Sequence, residues 1–83
     1  MRVLYFAWLR EKIGLGEEVL APPPDATTPR ALIAWLRQRG SGYVAAFANE
    51  DLIRAAVDQE FCSLDAPLGA AAEIAFFPPV TGG

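Results

Sequence analysis

Apolar and polar positions divide this chain into short blocks, and the period within each block predicts its element. Residues 2–8 are dense in β-branched and aromatic side chains and predict a strand. A helical turn over Arg10–Ile13 follows and stops at Gly14, and residues 17–21 predict a second strand. Pro22-Pro23-Pro24-Asp25 then interrupts regular structure, because proline offers no amide donor and restricts the residue before it. The helical signal is strongest over 29–39, where Leu32, Trp35 and Leu36 share one face. Thr28 suits its N-cap and Pro29 its first position; Arg37 and Arg39 suit the negative end, and Gly40 a left-handed stop. A short helix over 43–48 comes next. Two strands, 54–58 and 61–64, flank a turn at Asp58-Gln59-Glu60, and 65–69 reads as a loop. The last strand is 73–77, ended by Pro78-Pro79. The fold class is α+β: one domain over 1–77, a mixed sheet with its main helix on one face, and a tail over 78–83.

Alternation along the strands sorts the two faces of that sheet. Charged members mark the outward side, since a single helix covers only one face. The inward set is Val3, Tyr5, Ala7, Ala55, Val57, Ile74 and Phe76, packed on Leu32, Trp35 and Leu36. Outward lie Arg2, Arg54, Asp58 and Glu73, yet also Leu4, Phe6, Trp8 and Phe77, with Phe61 as a further member. A cluster of large apolar groups on an open face marks an interaction surface unless loops fold over it.

Composition narrows the chemistry. With 83 residues, 53% of them hydrophobic, the chain supports one modest core, and some apolar surface is left over. Seven basic and ten acidic residues give a net charge of −3, so neither phosphate backbones nor an acidic membrane surface attract it. The apolar N-terminal run is too short, and too soon followed by Arg10-Glu11-Lys12, for a signal peptide or a membrane span. There is no histidine and one cysteine, Cys62, which excludes a Ser-His-Asp or Cys-His site and a typical zinc site, and fits a reducing cytoplasm. No catalytic site of its own and no bound metal or cofactor are expected. Parity places Cys62 inward with Leu64, where a thiol acts as a small hydrophobe rather than a sulfur relay.

The ending is the distinctive feature. Pro78 and Pro79 favour extended geometry, and Val80-Thr81-Gly82-Gly83 follows. From Pro78 onward the tail can span roughly 20 Å, enough to enter a neighbour's pocket. Gly82 and Gly83 carry no Cβ, so the backbone can pass a narrow channel and the terminal carbonyl stays open to attack. Once activated, for example as an acyl-adenylate, that carboxylate can become a thiocarboxylate or join an amine. An ordinary frayed end is the plainer reading.

Phe76-Phe77-Pro78-Pro79-Val80-Thr81-Gly82-Gly83 resembles the ending of the MoaD-type sulfur carriers, the small subunits of molybdopterin synthase. Val3-Leu4-Tyr5-Phe6-Ala7 with Arg10-Glu11, Ala56-Val57-Asp58-Gln59 and Asp65-Ala66-Pro67-Leu68 resemble the same family, with Asp58 where relatives usually carry asparagine. The resemblance implies a ubiquitin-like β-grasp fold. It implies that an ATP-using enzyme related to ubiquitin-activating enzymes adenylates Gly83, that sulfur transfer makes a thiocarboxylate, and that the sulfur goes to a cyclic pyranopterin phosphate to build the molybdopterin dithiolene. It further implies a large-subunit partner in a heterotetramer, two of each. Phe6, Phe61, Phe77 and the segment Pro78, Pro79, Val80, Thr81 would meet that partner, and Arg10 is a candidate contact beside them. A carrier for thiazole synthesis or another sulfur pathway, a conjugating modifier, and a binding module with an inert tail are the alternatives. ATP belongs to the activating enzyme, not to this chain.

Overall fold

Strands β1 (Arg2–Tyr5) and β5 (Glu73–Phe77) run parallel at the centre of the sheet, pairing Arg2 with Glu73 and Tyr5 with Phe76. The computed structural model describes residues 1–79. Around that pair, β2 (Glu17–Val19) lies antiparallel on the far side of β1, and β3 (Arg54–Val57) antiparallel on the far side of β5. β4 (Glu60–Cys62) closes the order β2-β1-β5-β3-β4 as a hairpin with β3. Asp58 and Gln59 form that hairpin's two-residue turn at φ 47° and 70°, and the Asp58 carboxylate accepts from the Ala72 and Glu73 amides at 3.1 and 3.0 Å. Those two bonds fix the start of β5 against the turn.

Helices α1 (Trp8–Ile13), α2 (Pro29–Arg37) and α3 (Ser41–Ala46) and a single 3₁₀ turn (Glu50–Leu52) make up the rest. α2 begins as the sequence predicts: Thr28 accepts from the Ala31 amide at 3.1 Å, with Pro29 at the first position. It ends two residues early, at Arg37, and Gly40 opens α3 instead of stopping α2. α3 itself starts at Ser41 rather than at 43, and β4 covers 60–62 rather than 61–64. Arg30 grips Asp65 through two bonds of 2.8 and 3.1 Å and also pairs with Glu50, tying the first turn of α2 to the loops around it. That guanidinium holds the Asp65 carboxyl below its ordinary range.

The core lies between the sheet and α2. Val3, Tyr5, Ala55, Ile74 and Phe76 face Leu32, Ile33 and Leu36, all almost fully buried. Phe47, just after α3, fills its middle, edge-on to Phe76 at 5.2 Å and to Tyr5 at 6.4 Å. Burying one such ring contributes about 1.5–3 kcal/mol. Trp35 and Val57 pack on the rim of this core rather than in it.

One expectation fails at the end of the first strand. The apolar, aromatic-rich run continues unbroken through Trp8, yet β1 ends at Tyr5. Ala7 sits at φ 55°, ψ −134°, turning the chain into α1, so it is exposed rather than inward. Trp8 consequently leaves the outward face and packs half-buried against the core as the first residue of α1. Gly14 stops that helix in the left-handed region at φ 89°, as expected.

Strand, strand, helix and three further strands, with the first and last strands parallel at the centre, is the β-grasp arrangement. Among the described residues, no helix is long and apolar enough to cross a membrane, and no group of three His, Cys, Asp or Glu side chains could hold a metal ion.

Candidate functional site

β5 carries the tail, and it is the most firmly held place from which to carry one. It bonds to β1 on one side and β3 on the other up to its last residue, where Phe77 pairs with Arg54. The Phe6 amide donates to the Phe76 carbonyl at 3.1 Å and extends the ladder on the β1 side. Pro78 and Pro79 follow, both half-buried. Val80, Thr81, Gly82 and Gly83, the chemical end of the expected site, lie outside the described residues.

The face of the sheet opposite α2 carries the apolar cluster. Cross-strand pairing sets Leu4 beside Ala75, Ala75 beside Ala56, and Ala56 beside Phe61. The Phe61 and Phe77 rings meet at 5.6 Å, and Phe61 is 85% exposed. Phe6 is half-exposed at the end of the neighbouring ladder. So three of the anticipated residues, Phe6, Phe61 and Phe77, are brought to one end of one face, and Trp8 is not. Arg10 lies on α1, exposed, with its guanidinium over Gly16.

Charge on this face is uneven. Arg2 reaches Glu73 at 2.5 Å and Glu17 at 3.7 Å, which neutralises that end. Among the described residues Arg54, beside Phe77, donates only to main-chain carbonyls, those of Asp51 at 3.1 Å and Ile53 at 3.0 Å. Parity placed Arg54 outward in the sequence, but only the register of β3 against β5 shows that it borders Phe77.

Cys62 lies opposite Ala55 and points toward the helix side, half-buried, its thiol 3.9 Å from the Ala55 carbonyl oxygen. It is a packing residue there. A second polar cluster sits at the other face: Tyr5 and Tyr43 both donate to one Glu18 oxygen, at 2.9 and 2.5 Å, while Arg39 lies 3.5 Å from the other. Burial, and then the bond to Glu18, push both tyrosine hydroxyls to ionise above their ordinary range. This cluster pins α3 to the sheet and does not touch the tail-bearing end of β5.

Comparison with known proteins identifies the group to which this architecture belongs. The ThiS family profile matches residues 3–83, nearly the whole chain. The chain belongs to the ThiS family. Among ThiS-family relatives, the molybdopterin synthase sulfur carrier subunit of Escherichia coli is 39% identical over 83 residues, covering 100% of this chain and 99% of that protein. The subunit of the same name from Haemophilus influenzae is 36% identical over the same span, with the same coverage. Solved structures agree on the ubiquitin-like β-grasp fold. SAMP1 of Haloferax volcanii gives a TM-score of 0.67 at 29% identity, over 100% of this chain and 98% of that one. A Pyrococcus furiosus protein described as a candidate molybdopterin converting factor, subunit 1, gives 0.71 at 28% identity, over 95% of each.

Proposed function

We propose that this ThiS-family chain is the sulfur-carrier small subunit of a molybdopterin synthase, with Gly83 as the atom-bearing end. The observation that carries the reading is the end-to-end kinship, at 39% and 36% identity, with two proteins of that name. The chemistry is what the resemblance of the Gly82-Gly83 ending to sulfur carriers implies. The Gly83 carboxylate attacks the α-phosphate of ATP in an activating enzyme, pyrophosphate leaves, and an acyl-adenylate forms. A sulfide-level nucleophile then displaces AMP and leaves a thiocarboxylate. In the large subunit that sulfur passes to a cyclic pyranopterin phosphate, and water restores the carboxylate for another round.

Within this reading the fold supplies three things. β5, bonded on both sides, is a rigid base for the tail. Pro78 and Pro79 lead the chain off the ladder in extended geometry. Phe6, Phe61 and Phe77 offer the large subunit an apolar seat beside the exit, and two small and two large subunits make the working assembly. The chain binds no cofactor itself; ATP is held by the activating enzyme. The reducing cytoplasm is the compartment in which such a carrier and its thiocarboxylate would operate.

The test is direct. Incubated with ATP, the activating enzyme and a sulfur source, the intact chain gains the mass of one sulfur-for-oxygen exchange at its C-terminus, and with the large subunit it converts the pyranopterin to molybdopterin. A chain that keeps a free carboxylate under those conditions is not a sulfur carrier. One that gains sulfur but yields no molybdopterin serves a different pathway.

A further inference from the structure

Two arginines stand in the ladder rows of the open face, and they are treated differently. Arg2 is matched by Glu73 and Glu17. Arg54 has no carboxylate in ion-pair contact among the described residues, and its Nη1 alone is occupied, by the Asp51 and Ile53 carbonyls. A guanidinium has five N–H donors, so those on Nε and Nη2 are left to water. Arg54 pairs with Phe77 across the ladder, and together with Phe61 they border a shallow, largely apolar hollow of about 250 Å³.

That arrangement sets a condition on whatever docks there. A partner that covers Phe61 and Phe77 also strips water from Arg54, and a cation desolvated without an anion opposes binding strongly. Two carbonyl bonds hold the guanidinium at the start of β3, beside the hollow. A partner carboxylate placed against the free Nε and Nη2 edge converts this penalty into a charge-assisted, two-pronged contact.

We propose that Arg54 is a specificity determinant of the docking face: the tail-receiving protein seats an apolar side chain against Phe61 and Phe77 and brings a carboxylate to Arg54. The inference rests on the reading that the tail-receiving protein is a molybdopterin synthase large subunit, and it adds the chemistry by which this carrier accepts that partner and rejects others. An apolar surface without the carboxylate is refused, since it would bury the charge alone.

The experiment measures binding of the full chain, in its carboxylate form, to its cognate large subunit at low and high salt. Arg54→Leu should bind about tenfold to a hundredfold more weakly, because the partner's carboxylate is then buried unpaired. Its affinity should also depend less steeply on salt. Arg54→Lys should recover part of the loss and most of the salt dependence, as a point charge without the fork. Phe77→Asp should abolish binding. If Arg54→Leu binds as tightly as the unaltered chain, the inference is overturned. It is overturned too if affinity falls with an unchanged salt dependence and no recovery by lysine, the result of a purely structural role. Dimerisation of the unaltered chain that Arg54→Leu abolishes, with large-subunit binding intact, would assign the hollow to a second copy and overturn it as well. Failure of the unaltered chain to bind the large subunit at all counts against the proposed function itself; normal binding that ignores Arg54 counts only against this inference.

Discussion

Phe61 and Phe77 hold their rings 5.6 Å apart and tilted by 56°, although their strands are not neighbours. They meet across β3, where the small Ala56 stands opposite Phe61 and is itself only 7% exposed. A larger residue at 56 would hold the rings apart. The pair is thus a preformed aromatic contact on an open face, where it contributes little to the core.

Phe61→Asp separates folding from docking. At 85% exposure Phe61 loses little on substitution, and stability should stay within about 0.5 kcal/mol. Partner affinity should fall by at least about tenfold, as for a central aromatic anchor. Thermal melts and titration calorimetry on the same sample decide it; unchanged affinity would remove Phe61 from the docking face.

Gly42→Ala should destabilise by about 1–3 kcal/mol, despite alanine's better helix propensity. α3 packs so closely on α1 that an added Cβ would stand 2.6 Å from the Lys12 carbonyl oxygen and 3.4 Å from Ile13 Cα. Both obstacles are backbone, so no side-chain rotation relieves them. Urea denaturation measures the loss. A variant as stable as the original would mean that the two helices separate without cost.

Glu18 gives the protein an alkaline limit. Tyr5 is 1% exposed, and its hydroxyl donates to Glu18 at 2.9 Å; Tyr43 shares the same oxygen. Folding raises the pH at which both hydroxyls ionise, through burial first and the Glu18 bond second. The folded chain therefore keeps protons that the unfolded chain releases. Their contribution is complete below about pH 10, the unfolded tyrosine value, and declines as pH rises from there toward the folded values. Glu18→Ala, which strands the buried Tyr5 hydroxyl, should cost about 1–3 kcal/mol at neutral pH. Urea midpoints across the alkaline range check both; a midpoint that does not fall above about pH 10 contradicts the assignment.

Local chemistry made much of this legible in the sequence. Thr28-Pro29 marks the start of α2, Gly14 stops α1, and Glu73–Phe77 bounded by Pro78 marks β5 to the residue. The chemistry proposed for the tail rests on the residues of its ending, Pro78-Pro79-Val80-Thr81-Gly82-Gly83. What the sequence did not disclose depends on distant pairing. Nothing in the unbroken apolar run from Val3 to Trp8 signals the turn at Ala7, after which α1 packs on α3. Phe47 sits in a run of alanines with no helical stripe to mark it as core, yet three-dimensional packing makes it the centre. Arg54 beside Phe77 is a matter of register between strands 19 residues apart in the chain, given by the first residue of β3 (54) and of β5 (73), and alternation alone fixes faces, not neighbours.

Changing the last residue tests the chemistry without disturbing the fold. The ladder closes with Phe77 on Arg54, five residues before Gly82, so deleting Gly83 or adding one residue after it should leave melting within about 0.5 kcal/mol of the original. Sulfur loading should vanish in both variants, for different reasons. Deletion shortens the reach by about 3.5 Å, more than an attacking atom can make up at a fixed site. Extension moves the carboxylate onward and leaves Gly83 as a peptide amide, with no carboxylate oxygen to attack the α-phosphate of ATP. Intact-protein mass spectrometry after incubation with ATP, the activating enzyme and a sulfur source reads the outcome. If the extended chain still gained sulfur while melting normally, the activated carboxylate would belong to the added residue, and the position of Gly83 would no longer matter to the chemistry.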